Sequence, residues 1–466
     1  MKKSLPAILT LAGALLVALF LAWAFSLHGT IGLFRVNGQF HSLFLFLGGF
    51  GLALLLLSLL YLWLKPKLKP LSLRWLAVLL FVLSVPGIIG PPLAFAYANG
   101  AFSGSVGDTP PQLLIADGSG ANGIPDLAVA FNTAASSQNT LTWGKGDKQS
   151  TLNEDKATKQ HVFMLRDLTP ETTYTYRVNN GATYSFTTPP ADDELRFAMG
   201  SDAHYGAGDN RVDLAAKMLA LIADPTSGYN LFFYGGDLVE HGFSASQWGE
   251  AFRALSPTTS VIPTRFTLGN HDSLFAGLSL YEKYAYPAGM DIQTGSQLWY
   301  RIDVGKVHFL VLDIEWSAES YTATQAAWLE AQLKAIPAGD WKIVVSHGFY
   351  YASGPVVDGW KWYDNPETID ALTPLFEKYK VDLVLSGHDH QMELLEHNGV
   401  TYAIAGAFGG LPDVPRTYVS PASLWYLNGA YGFVDVGISS NQCNITFRDS
   451  NNAALKTFTI TKSDAN

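Results

Sequence analysis

The chain has 466 residues, 48% of them hydrophobic and only 15% charged, with a formal net charge of −10. The charge is unevenly placed: residues 1–107 hold seven Lys or Arg and no Asp or Glu, leaving 23 basic against 40 acidic residues downstream. That acidic body makes a poor partner for nucleic acid, and none is expected, because it repels the phosphates whose counterion release drives such binding, and the single cysteine, Cys443, excludes an intramolecular disulfide framework.

Three uncharged apolar stretches open the chain: Leu5 to Phe25, Leu43 to Leu64, and Trp75 to about Phe95. Each approaches the ~20 residues that a membrane-spanning helix needs. Pro86, Pro91 and Pro92 predispose the third to kink or end early. Lys2 and Lys3 precede the first span, Arg35 stands alone in the first loop, and Lys65, Lys67, Lys69 and Arg74 fill the second. The positive-inside rule then puts the N-terminus and second loop in the cytoplasm and everything after the third span outside it. The expectation is a membrane region over 1–107 with about three transmembrane helices, holding the remaining chain on the extracytoplasmic (periplasmic) side of a cell (inner) membrane. A rival reading, a cleaved signal peptide over Met1 to about Ser26, leaves that orientation unchanged. With no ionisable residue inside the spans, anchoring is favoured over transport.

Residues 108–190 alternate strand-like runs with turns: PQLLIA, DLAVAFNT, NTLTWG, HVFMLRDL, TYTYRV and TYSFTT. The stretch from Leu168 to Val178 resembles the tyrosine corner of fibronectin type III sandwiches, which assigns Tyr174 and Tyr176 to packing. No cluster of His, Cys or carboxylates occurs here, so this β-sandwich reads as a spacer or a frame for substrate.

From 194 to 466 short apolar strands alternate with helical segments, the signature of an α/β layer fold. Each strand runs into polar residues. LRFAMG leads to Asp202 and His204; YNLFFYG leads to Asp237; TRFTLG leads to Asn270, His271 and Asp272; WKIVVS leads to His347; VDLVLSG leads to His388 and His390. Ligands of open α/β sheets gather beyond the carboxyl ends of strands. Asp, His and Asn without Cys form an oxygen and imidazole set suited to Zn, Mn or Fe. So many groups exceed the needs of one ion, and two metals about 3.5–4 Å apart clamp both the attacking and the leaving oxygen of a displacement at phosphorus. Trp299, Trp328 and Trp341 lie in strand or helix patterns and read as core. The aromatics after His347, among them Phe349, Trp360 and Trp362, read as packing beneath a loop before they read as a substrate pocket.

The ordered set DxH, GD, GNHD, a lone His after a strand, and GHxH resembles the calcineurin-like metallophosphoesterases from Leu195 to Lys462. With the β-sandwich before it, the arrangement looks most like the purple acid phosphatase branch. The resemblance implies a sandwich of two mixed sheets flanked by helices and two divalent or mixed-valence ions, Mn, Fe or Zn. Matched motif by motif, one ion falls to Asp202, His204, Asp237 and His390, and the other to Asp237, Asn270, His347 and His388, with Asp237 bridging. His271 takes the place of the group that contacts phosphate and protonates the leaving group, and Asp272 that of its orienter; the nucleophile is a metal-bound hydroxide. The implied substrate is a phosphoester, a monoester before a diester or a lipid phosphate, and the rival is a catalytically silent binding fold. One departure stands out: the purple acid phosphatase GDxxY tyrosine is replaced by Glu240 in Gly236-Asp237-Leu238-Val239-Glu240. Glu240 has no assigned role, and His241 reads as a surface group or one standing behind the ligands.

Overall fold

The computed structural model describes residues 97 and 99–462, apart from 193, 276, 358 and 359. The three expected membrane spans lie outside the described residues; among the described residues no helix is long and apolar enough to cross a membrane.

Seven strands occupy the stretch read as a sandwich: β1 Gln112–Ile115, β2 Leu127–Ser137, β3 Thr140–Lys145, β4 Lys148–Asn153, β5 Thr158–Leu165, β6 Thr173–Val178 and β7 Thr183–Thr187. Four of them form an antiparallel sheet in the order β4-β3-β6-β7. The other three do something the sequence does not announce: β1 pairs in parallel with a strand of the α/β part, so that β1, β2 and β5 continue its sheet. All four residues of β1 are buried, which is the pattern of a strand covered on both faces rather than of a half-exposed sandwich strand. Tyr174 and Tyr176 are buried as expected. The Tyr174 hydroxyl accepts from the Thr169 amide at 3.0 Å. The Tyr176 hydroxyl donates to the Ser260 carbonyl at 2.8 Å, just past the helix Ala245–Thr259.

The α/β part carries β8 Leu195–Gly200, β9 Leu231–Tyr234, β10 Thr264–Phe266, β11 Tyr300–Val304, β12 Val307–Val311, β13 Trp341–Val345, the hairpin β14 Val356–Val357 and β15 Trp360–Lys361, β16 Leu383–Ser386, β17 Met392–His397, β18 Val400–Ala405, β19 Ser423–Leu427, β20 Gly432–Ile438, β21 Gln442–Asp449 and β22 Ala454–Thr461. The nine-stranded sheet runs β22-β21-β20-β8-β9-β10-β1-β2-β5 and the seven-stranded sheet β11-β12-β13-β16-β18-β17-β19. These are the two mixed sheets of the expected α/β architecture. They pack through aromatic rings: Phe309 on β12 meets Phe197 on β8 at 5.1 Å and Phe233 on β9 at 4.7 Å. Each such buried ring contributes roughly 1.5–3 kcal/mol. The strands β9, β13 and β16 are buried along their whole length. Of the tryptophans read as core, Trp341 is buried, whereas Trp299, just before β11, and Trp328, on the helix Ala323–Ala335, are only half-buried.

Helices flank the sheets. The helix Val212–Ala223 buries Ala215, Met218, Leu219 and Ile222, spaced at three and four residues to make one apolar stripe. The helix Pro366–Tyr379 starts with Asn365 as N-cap and a proline in its first turn. Strands β8, β9 and β10 are mutually parallel, as are β13 and β16. Five carboxyl ends therefore open into loops that converge between the sheets.

Candidate metal centre

Sharp turns at the strand ends aim the ligands. Asp202, His204, Asp237 and His388 all have positive φ, at 67°, 50°, 49° and 70°. A non-glycine residue there costs about 1–3 kcal/mol and persists only where the surroundings compel it. Gly236, at φ 99°, lets the turn before Asp237 lie against His347: a Cβ there would stand 2.5 Å from the His347 Nδ1. At Gly269 a Cβ would meet the Asp237 Oδ1 at 2.2 Å.

The result is two overlapping clusters. In one, the His204 Nε2 lies 3.0 Å from the His390 Nε2 and 3.6 Å from the Asp237 Oδ2, while the His390 Nε2 is 3.6 Å from the Asp202 Oδ1. In the other, the His347 Nε2 lies 3.3 Å from the Asp237 Oδ2 and 3.1 Å from the Asn270 Oδ1, and the His388 Nδ1 is 2.9 Å from the same amide oxygen. Asp237 Oδ2 belongs to both. All seven residues expected to hold metal are thus brought together, and all but His390 are buried.

Hydrogen bonds around the rim decide which nitrogen faces inward. Nδ1 of His204 points at the Glu240 Oε2 (2.9 Å), that of His347 at the Gly235 carbonyl (2.8 Å), and that of His390 at the Leu411 carbonyl (2.6 Å). Each of those partners only accepts, so each Nδ1 carries a hydrogen and each Nε2 faces inward, with a lone pair to offer in the neutral form. Lone pairs then face lone pairs: His204 against His390, and His347 against the Asp237 and Asn270 oxygens. The buried Asp202 Oδ1 and His388 Nε2 have no hydrogen-bond partner. Such an array repels itself unless a cation or protons lie between, and it fits divalent ions. The charges agree. Burial works to lower the pKa of His347 and His390, yet Asp237 and Asp202 override it and raise His347 to about 9 and His390 to about 10. Burial likewise opposes ionisation of Asp237, but His347 and His271 hold it well below the usual carboxylate range.

His271 sits at the edge of the first cluster. Its ring meets His204 edge to face at 4.5 Å, its amide donates to the Asp237 Oδ1 at 2.8 Å, and its Nδ1 donates to the Glu240 carbonyl at 2.8 Å. Asp272 does not orient it. The Asp272 carboxylate accepts from the amides of Leu238, Val239 and Gly269 at 2.9, 3.1 and 3.1 Å, tying the turn after β9 to the turn after β10. The reason is positional: the side chain of Asp272 turns back under its own loop, where burial and Asp237 push its pKa up to about 8. The contacts to His271 come instead from Glu240, whose carboxylate is 3.5 Å from Nδ1. Burial opposes ionisation of Glu240, but His271 and His204 override it and bring its pKa down to about 2. The only sequence signal for Glu240 was its place three residues after Asp237. His241 is buried beside it, with Nδ1 accepting from the Gln247 amide at 3.2 Å, and burial lowers its pKa to about 4.

Two mixed sheets with paired candidate metal-ligand clusters at their carboxyl ends form a frame suited to metal-dependent chemistry. Residues 195–392 match the model of the calcineurin-like phosphoesterase family. Purple acid phosphatase 22 of Arabidopsis thaliana is 28% identical over 250 residues, covering 51% of this chain and 54% of that protein. A probable inactive purple acid phosphatase 24 of the same plant is 26% identical over 274 residues, covering 50% and 43%. The chain thus spans about half the length of curated relatives it matches. A purple acid phosphatase from yellow lupin (Lupinus luteus) seeds superposes with a TM-score of 0.62 at 18% identity, over 77% of this chain and 75% of that one. The structure of PhoD does so with 0.58 at 13% identity, over 77% and 90%. Residues 195–392 are thus similar to the calcineurin-like phosphoesterases, and about half of the chain is similar to purple acid phosphatases.

Proposed function

We propose that this chain is a membrane-anchored, extracytoplasmic phosphohydrolase that prefers phosphomonoesters. Asp202, His204, Asp237 and His390 would hold one ion, and Asp237, Asn270, His347 and His388 the other. The observation that carries the reading is the inward array of Nε2 atoms and carboxylate oxygens, with each Nδ1 held outward by Glu240, Gly235 or Leu411. Bound there, a pair of divalent ions supplies activated water and neutralises charge on the phosphoryl group.

The chain's own residues divide the remaining work. Asp237 accepts the His271 amide at Oδ1 and presents Oδ2 to His204 and His347, so it is the carboxylate that would serve both ions. Asn270 contributes a neutral oxygen, which leaves its ion more electrophilic than a carboxylate would. His271, with Nδ1–H held by the Glu240 carbonyl, keeps Nε2 for the proton that a leaving alkoxide takes up. The three apolar stretches and the Lys/Arg asymmetry of residues 1–107 support anchoring with the metal centre outside the cytoplasm. One relative is named as a probable inactive phosphatase; here every candidate ligand and His271 are present, which favours an active enzyme.

The test is a hydrolysis panel on the purified full chain in defined Mn, Zn or ferrous iron, spanning monoesters, diesters, pyrophosphates and lipid phosphates. Monoester turnover that a chelator abolishes is the expected result. Faster diester turnover would reverse the preference, and no turnover with both ions bound would favour a silent binding fold.

A further inference from the structure

Three aromatic rings fence the imidazole of His388. Phe349 stacks on it at 5.7 Å and is buried. Trp316, on the loop after β12, meets it at 4.3 Å with the planes 72° apart, and Trp362, just after the β14–β15 hairpin, lies nearly parallel to it, 9° at 6.0 Å. The two indoles touch each other at 5.0 Å and 67°. Unlike Phe349, both tryptophans are half-exposed.

This difference matters. A ring whose task is to pack a metal ligand does so best when buried, as Phe349 is. Two indoles left partly in water beside the candidate ligand His388 present apolar surface that a bound organic group would cover. Their mutual angle makes a corner, in which a planar guest meets one indole face to face and the other edge to face, the two geometries that aromatic quadrupoles favour. The corner is also held before any guest arrives. The Trp316 carbonyl accepts from the Asn365 Nδ2 at 3.1 Å, the Trp362 amide donates to the Pro355 carbonyl at 3.0 Å, and Asn365 is itself the cap of the helix Pro366–Tyr379. A preformed subsite loses less entropy on binding.

We propose that Trp316 and Trp362 form a subsite for an aromatic ring carried by the phosphoester, so that aromatic organic phosphates are favoured over small alkyl ones. This rests on the phosphohydrolase reading and names its substrate class. The test compares benzyl, ethyl and decyl phosphate on the metal-loaded full chain. The leaving alcohols are of similar acidity, so leaving-group chemistry does not mask binding. The native chain should favour benzyl over ethyl phosphate. Trp316→Ala and Trp362→Ala should each cut that preference by roughly 3- to 10-fold, mainly through KM, and Trp362→Phe should restore most of it. Equal losses on benzyl and ethyl phosphate, or loss of metal in both alanine variants, would reduce the tryptophans to packing around His388 and overturn the proposal. So would a preference for decyl phosphate, which would indicate a lipid chain. Binding of benzylphosphonate, read by quenching of tryptophan fluorescence, separates the two claims. If no ester turns over but the phosphonate binds and Trp362→Ala weakens it, the phosphohydrolase reading fails and the subsite stands; no binding by the metal-loaded chain overturns the subsite itself.

Discussion

The carboxylate of Glu240 reaches the Nδ1 of His204 at 2.9 Å from the position, three residues after Asp237, where the purple acid phosphatase pattern carries a tyrosine. The replacement changes the kind of work done there. A tyrosine in that pattern is itself a ligand, whereas Glu240 stands behind a ligand, fixing the tautomer of His204 while its backbone carbonyl fixes that of His271.

Glu240→Ala should therefore weaken metal binding without removing a metal ligand. The expected loss is about 10- to 100-fold in affinity, the usual effect of deleting a carboxylate behind a ligating imidazole, read by competition with a chelator. Unchanged affinity would mean that His204 is oriented by its turn alone.

Asp237→Asn and His388→Ala should each lower metal content and abolish turnover, because both groups face the shared array. His271→Ala should keep its metals and lose on the order of 10²–10⁴ in rate, with smaller losses for leaving groups that need no proton. A metal-free His271→Ala protein would show that His271 holds the ions rather than the proton.

Metal should also stabilise the fold, since the ligands come together from five distant strand ends only in the folded chain and ions therefore bind it preferentially. At an ion concentration 100 times Kd the gain is about 2.7 kcal/mol, visible as a higher Tm that chelation reverses. No change in Tm at full occupancy would mean that the unfolded chain binds the ions as well as the folded one does.

The enzyme should be colourless with divalent metals and should lack a tyrosinate-to-iron band after loading with ferric iron. Neither nearby phenol is set up as a phenolate: the Tyr234 hydroxyl accepts from the Ala203 amide at 2.9 Å, and burial pushes the Tyr205 phenol up. Resonance Raman spectra decide it. A tyrosinate signature that disappears in Tyr205→Phe would show a relocated ligand.

For topology, single cysteines introduced in a Cys443→Ser background should be labelled from outside intact cells in the C-terminal part but not at position 67. The reverse pattern would put the metal centre in the cytoplasm.

The ligands were legible because each belongs to a short motif that begins where an apolar strand ends. Strand and turn chemistry are local, so Asp202, Asp237, Asn270, His347 and His388 could be read as strand-end residues before any contact was known. Asp272 was misassigned for the same reason: its motif places it next to His271, but which way the side chain turns depends on the Leu238, Val239 and Gly269 amides, which belong to two different turns.

What the sequence determined by itself is the inventory and the order: an apolar basic start, an acidic body, a β-rich stretch, and five strands that each end in metal-ligand chemistry. Only the tertiary structure decided how these meet. The pairing of β1 with β10, the contact of the His388 amide with the Asp202 carboxylate across 186 residues, and the Gly235, Leu411 and Glu240 acceptors that set the imidazole tautomers all arise between distant segments. A linear pattern encodes which groups are present, but hydrogen-bond partners and ring orientations depend on packing between distant segments, and it is those that turn a set of histidines and carboxylates into one inward-facing centre.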